Sequence, residues 1–576
     1  FIGVLFFSPN VAIAQEVSQD MLKMLSKYDK EHADHFGTIL VQSVDGRIKP
    51  IDTLSREIFN KVYRKEAYEG INSNQLLLAM ITDAQRMQWL PLIKVTHPEL
   101  KKIVGIDQDM QYASYVDFLN LENGQYKLLK YAEAANRKRD AERNQFDKDV
   151  IKVDERLYIL LSTYNLDMFK MVPKIGDENN RWFSVISAVN NFNSQEASDV
   201  RTIFITYFDA VEEGLKTGNW KSANEIVDII KQYQMDYASK IIPSQKRIGA
   251  ELFFNKARIF DRLTAVYLIC GFMLLILVFV KMIFPKVNIK TAVKLLFYLC
   301  LVAFVAHTFG LGLRWYIAQH APWSNSYESM IYIAWAIALA GLFFSRTSVI
   351  SMSLTYILGG ITLFVAHLSW MDATITNLVP VLKSYWLTIH VSVITASYGF
   401  LGLCSLLGFF VLVLYILKVF KKSGDYKENI ERNITEATRI NEMSMILGLS
   451  LLTIGNFLGG VWANESWGRY WGWDPKETWS LISILIYSII VHIRFVPKLN
   501  NQLVFAILST IAYASIMMTY FGVNFYLSGK HSYASGDPVP VHTSIYWIAF
   551  VVVSIVVGAV YCAYRESKIG RLVKKL

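Results

Sequence analysis

The sequence predicts an all-α polytopic membrane protein, with about nine transmembrane helices in its C-terminal half and a mainly helical extracytoplasmic N-terminal region. Three observations predict this. Of 576 residues, 53% are hydrophobic and 14% aromatic, but only 18% are charged, against about 25% in ordinary soluble domains. The charges concentrate between Gln15 and Arg262. The remainder is a series of apolar runs, each near the ~20 residues that a helix needs to cross a bilayer. A chain this apolar, with 31 Gly, 13 Pro and 4 Cys, is neither disordered nor a disulfide scaffold.

Residues 1–14 are apolar and end in Ala12-Ile13-Ala14, the pattern of a signal-peptide cleavage site. They read equally as the tail of a truncated transmembrane segment. Either reading places Gln15 onward outside the cytoplasm. Residues 15–262 then form an extracytoplasmic soluble region. Thr38 to Pro50 has apolar residues around Asp45-Gly46, which predicts a hairpin. Tyr126 to Tyr164 and Asn219 to Ala238 carry apolar residues at three- and four-residue spacing, which predicts helices. His32, His35 and His97 are expected at the surface. No metal-ligand spacing, phosphate loop or nucleophile motif appears, so the sequence assigns this region no chemistry.

The domain 263–576 carries the expected spans 264–284, 291–313, 329–345, 348–368, 386–417, 441–461, 477–496, 502–525 and 543–563. With 15–262 outside, the inner loops and tail hold eighteen Lys and Arg and the outer loops five. That asymmetry obeys the positive-inside rule. It also accounts for most of the C-terminal half's contribution to the net charge of +10 without a nucleic-acid partner. Cys270, Cys300, Cys404 and Cys562 all lie in apolar runs and read as small hydrophobes. There is no CxxC or CxxCH, so the chain carries no thioredoxin-like pair and no covalent haem of its own.

The outer loop 462–479 holds Trp462, Trp467, Trp471, Trp473 and Trp479, five of the fourteen Trp in eighteen residues. One reading is an interfacial aromatic belt. Gly468, Gly472, Glu465, Arg469 and Asp474 among the rings favour the other, a platform for a large flat amphipathic ligand. Asp474-Pro475-Lys476-Glu477 also has the form of a helix start, with Asp at the N-cap, Pro at N1 and Glu at N3. Asp474 therefore has a capping role that coexists with one in the site.

Seven of the ten histidines accompany the spans. His390 lies one turn into the fifth span, His320 in the first outer loop, and His531 and His542 in the outer loop 526–542. His307 and His367 lie near outer ends. His492 lies roughly 25 Å past Pro475, near the inner face. An ionisable residue within a span is a functional candidate, although a neutral His bonded to a backbone carbonyl is the plainer reading. Two neutral imidazoles beside an aromatic shelf are what axial ligation of haem iron requires. Spacing does not say which pair converges.

The run WGRYWGWDPKETWS resembles the tryptophan-rich WWD segment of haem-handling membrane proteins. Residues 290–565 as a whole resemble the CcsA part of System II cytochrome c synthases, often fused to a ResB (CcsB) part. Arg314-Trp315-Tyr316 and Pro322 through Ser329 match that family's first outer loop. Trp386 through Val391, His492 and His531 match its histidine segments. The resemblance implies cytochrome c biogenesis. Haem b, held non-covalently as transported substrate, meets His492 on the inner side and then an outer site. There His390 and His531 are axial ligands, the five Trp and Arg469 support the ring, and Asp474 belongs to the catalytic set. Arg469, Lys476 and Arg314 are the cations available to the propionates by charge-assisted bonds. The vinyl groups then take the CxxCH thiols of apocytochrome c, which makes the protein a thioether-forming haem lyase. The alternative is a haem exporter or chaperone that delivers haem without forming the thioether.

The resemblance also implies a ResB/CcsB-type part or partner. That part supplies the second ligand of the inner site, since no other His lies at the depth of His492. Thiol-reducing membrane proteins are implied too, because no outer-loop Cys is present. The expected location is the bacterial inner membrane, multi-pass, with 15–262 and the WWD loop on the extracytoplasmic side.

Overall fold

The computed structural model describes residues 20–120, 122–139, 142–174, 176–368, 371–378, 380–419, 424–527 and 543–573. The chain divides into two compact units, Phe1–Lys256 and Ala257–Leu576.

The first unit is mostly helical. Its expected hairpin pairs Leu40–Gln42 with Ile48–Pro50, Leu40 opposite Pro50 and Gln42 opposite Ile48. Gly46 takes φ +82° in the turn, a conformation that glycine adopts without steric cost. The single helix expected over 126–164 is two helices, Leu129–Arg137 and Gln145–Tyr164. Asn144 accounts for the new start. Its side chain accepts from the Asp147 amide, and the Asp147 carboxylate accepts from the Asn144 amide, which is a capping box. The helix expected over 219–238 is Lys221–Ala238. The core holds Phe36, Phe59, Phe118, Phe169 and Tyr207, all fully buried.

His32 is not at the surface, as the sequence suggested, but fully buried. Its Nδ1 lies 2.7 Å from Asn224 Oδ1 and its Nε2 3.2 Å from the Tyr207 hydroxyl. Its ring stacks on Trp220 at 4.8 Å. These partners lie far downstream, so no local pattern marks the burial. Asn224 Oδ1 accepts, so Nδ1 carries the proton and the Tyr207 hydroxyl donates to Nε2. Burial holds the His32 pKa below the ordinary imidazole value. A base whose folded pKa is depressed leaves stability intact above its unfolded value of about 6.5 and removes it as pH falls below that. Unfolding followed from pH 7.5 to 5.5 should therefore show falling stability across this window. The His32→Gln variant should show a flatter slope.

In the second unit, nine helices among the described residues are long and apolar enough to cross a membrane. Eight of them are α1 Ile259–Ile283, α2 Lys290–Ala318, α3 Ser326–Phe344, α4 Val349–Ala366, α5 Tyr385–Leu417, α6 Gly424–Trp467, α7 Pro475–His492 and α8 Gln502–Met517. The ninth is α9, Thr543–Val573. α5 is central and packs against α6, α8, α3, α9 and α4.

The closest packing, of α5 on α6, follows a glycine seam. A Cβ at Gly448 would lie 2.7 Å from Leu401, and one at Gly455 would lie 2.9–3.1 Å from the backbone and Cβ of Ile394. Small residues at such spacing let membrane helices approach backbone to backbone. α6 also runs beyond the expected span into the Trp-rich segment. It ends only where Gly468, at φ +71°, donates its amide to the Asn464 carbonyl at 2.9 Å. This is a left-handed glycine terminus. The expected loop 462–479 is thus non-helical only across 468–474. Trp462 and Trp467 ride on α6, and Trp479 on α7.

Arg314 on α2 and Glu328 on α3 are each 1% exposed. Arg314 Nε donates to Glu328 Oε1 at 2.8 Å, and its terminal nitrogens donate to the carbonyls of Ala373 and Thr374 at 3.0 and 3.3 Å. Glu328 Oε2 accepts from the Ser324 amide and hydroxyl at 2.8 and 2.7 Å. This cluster ties both loops at that end of the helices to α2 and α3.

Candidate functional site

A cavity of about 460 Å³ opens among α3, α5, α6, α7 and the end of α8, within the ~300–1,000 Å³ usual for ligand and cofactor sites. Its aromatic lining includes Trp315, Trp323, Tyr385, Trp462 and Trp471, and its cationic side chains are Lys383 and Lys476. The α5 face contributes His390, Ile394 and Tyr398, successive turns of one helix face.

His390 is held from behind. Its Nδ1 lies 2.7 Å from the Gly455 carbonyl. A carbonyl only accepts, so Nδ1 carries the proton and Nε2 a lone pair, the form of imidazole that can ligate a metal. A backbone carbonyl that fixes the tautomer in this way is the usual outer support of a ligating histidine. The Trp462 ring lies near-parallel to the imidazole, centroids 6.4 Å apart at 13°. Trp467 packs edge-on against Trp462 at 4.9 Å. The imidazole has room because residue 459 has no side chain: a Cβ there would lie 2.7 Å from its Cε1 and 2.9 Å from its Nδ1. Gly459→Ala should therefore displace the His390 ring and weaken binding of an added metalloporphyrin by the purified protein. Alanine favours a helix by roughly 1 kcal/mol, so thermal stability should not fall with it. A parallel loss of both would place the defect in packing.

The family described as "Cytochrome C assembly protein" matches residues 323–531, a range that holds His390 and the Trp-rich segment. The cytochrome c biogenesis protein CcsA of Guillardia theta is 34% identical over 258 residues, 40% of this chain and 83% of that protein. CcsA of Prochlorococcus marinus is 36% identical over 250 residues, 39% of this chain and 80% of that protein. The chain belongs to the CcsA family of cytochrome c biogenesis proteins. Protein NrfI of Wolinella succinogenes is similar along nearly the whole chain, 43% identical over 523 residues, 91% of this chain. The chain spans 57% of the length of NrfI.

The other residues singled out by the sequence are dispersed around this CcsA-like domain. Of the five Trp, Trp462 and Trp471 line the cavity. Trp473 is 71% exposed and meets Trp471 edge-on at 5.9 Å. Trp479 is half-buried on α7 and outside the lining. Arg469 is exposed and folds over Gly472, where a Cβ would lie 2.5 Å from its guanidinium. Arg314 does not reach the cavity either, being bound to Glu328, which removes it as a propionate partner. Asp474 is buried and caps α7 in a capping box with Glu477. His492 ends α7, exposed, its Nδ1 2.7 Å from the Ser488 carbonyl. His531 and His542 lie outside the described residues.

Three features of the site were given no role in the sequence reading. His320 lines the cavity, its Nε2 3.0 Å from the Thr376 carbonyl. Gly459 clears space for His390. A π-helical turn, Met518–Gly522, ends α8 and puts Thr519, Tyr520 and Asn524 on the cavity wall. Such turns recur at functional sites. His307, in contrast, is a structural residue. It is fully buried, with Nδ1 3.0 Å from the Tyr267 hydroxyl and Nε2 3.1 Å from the Ile331 carbonyl.

Proposed function

We propose that the chain is the haem-delivering and thioether-forming part of a cytochrome c synthase. The observation that carries this is His390. Its tautomer is set by a carbonyl, its ring is backed by Trp462, and it borders an aromatic cavity with two lysines. The residues fit a porphyrin: indole faces for the ring, an imidazole nitrogen for the iron, and ammonium groups for the carboxylates.

In this reading haem b, the transported substrate, enters past His492 on the cytoplasmic side. A ResB/CcsB-type part or partner supplies the opposite imidazole there. At the outer site His390 and His531 hold the iron from two faces, and the WWD segment supports the ring. Each cysteine thiol of the apocytochrome CxxCH adds across a vinyl double bond, sulfur to the inner carbon and hydrogen to the outer one. The chain's residues fix the substrate and keep water from the ring. Thiol-reducing membrane proteins keep the cysteines available. The cavity end and residues 15–262 lie on the extracytoplasmic side of the bacterial inner membrane, in accord with the loop charges.

The test supplies the purified full-length protein with ferrous haem and a CxxCH peptide. The pyridine haemochrome band should move from the divinyl to the thioether position without another protein. Bound haem that moves only when a second protein is added would indicate an exporter or chaperone instead.

A further inference from the structure

Beyond its ring and iron contacts, one wall of the cavity is chemically specialised. Lys476 and Ser480 are four residues apart on α7, on one helix face, and both line the cavity. Lys476 Nζ donates to Asn524 Oδ1 at 3.2 Å; the carboxylate that acts on it, Asp474, is engaged in capping α7 through the Lys476 backbone amide. The neighbouring Glu477 does not neutralise it, because Glu477 Oε2 accepts from the amides of Gly472 and Asp474 at 2.8 and 3.3 Å. Ser480 is 2% exposed, and its Oγ makes no hydrogen bond among the described residues. A buried hydroxyl left unpaired is costly, and this one sits on the wall of a ligand cavity. Asn524, brought there by the π-helical turn, has its amide oxygen engaged by Lys476, which leaves its NH₂ as a donor.

One ammonium, one hydroxyl and one amide NH₂ on a single wall match an acceptor-only, negatively charged group. We infer that Lys476, Ser480 and Asn524 form a carboxylate subsite. On the haem reading of the cavity, on which this inference rests, it holds a propionate of the porphyrin bound through His390. Propionates and vinyls lie at opposite edges of haem b. Anchoring the carboxylates at α7 therefore turns the vinyl edge away from it, toward where the CxxCH thiols approach. The subsite is a positioning device and touches no reacting atom.

The test compares ferric haem with its dimethyl ester, in which the carboxylates are masked, titrated into the purified full-length protein and read by the Soret band. Wild type should bind haem about tenfold more tightly than the ester, the loss of one charge-assisted contact. Lys476→Gln with Ser480→Ala should lower haem affinity to that of the ester and leave ester affinity unchanged. Lys476→Arg should restore most of the preference. Equal binding of haem and ester by wild type, in a Soret band that still requires His390, would overturn the subsite alone. Binding of both that is indifferent to His390 would overturn the site reading itself.

Discussion

Arg314→Ala should destabilise the second unit by about 3–5 kcal/mol, because it leaves Glu328 charged and buried without its partner. The pair is 1% exposed on both sides, so little solvent screening softens the loss. Two carbonyls, of Ala373 and Thr374, lose their donors as well. The defect should spread to the cavity, since α3 carries Ser329 and the loop before it carries Trp323, both in the lining. Thermal unfolding of the detergent-solubilised protein should show the loss. The double replacement Arg314→Met with Glu328→Leu should recover most of it, because an apolar pair of similar volume removes the orphaned charge. A single variant as stable as wild type would mean that water reaches the carboxylate.

His390→Ala should lower cytochrome c maturation by about 100-fold or more while the protein still inserts. Loss of an outer support alone commonly weakens metal binding by 10–100-fold, and loss of the ligand itself should exceed that. The helix should tolerate the change, because alanine is a good helix former and His390 is only half-buried at the cavity wall. Added imidazole should restore part of the activity by occupying the emptied position. Recovery with imidazole separates a missing ligand from a misfolded site, which imidazole would not repair.

How far these features are legible in the sequence depends on how local they are. The spans follow from runs of apolar residues, the hairpin from Asp45-Gly46, and the start of α7 from Asp474-Pro475-Lys476-Glu477. All are short-range signals. The reach of the Trp-rich loop was overstated because α6 has no breaker before Gly468. The burial of His32 depends on Asn224, Tyr207 and Trp220, which only the fold brings near. The same holds for the site. His390 and Trp462 were each visible as candidates, but their stacking depends on the glycine seam of α6 against α5. Arg314 looked like an outer-loop cation until Glu328 closed on it. Lys476 became distinct from Arg469 only when α7 and the π-helical turn put it beside Asn524 and Ser480.

Titration of the purified full-length protein with haem bears most directly on the imidazole at position 390. One equivalent should give a low-spin Soret spectrum that disappears in His390→Ala and returns with imidazole. An unchanged spectrum in that variant, or no stoichiometric binding by wild type, would contradict the assignment of this cavity to haem.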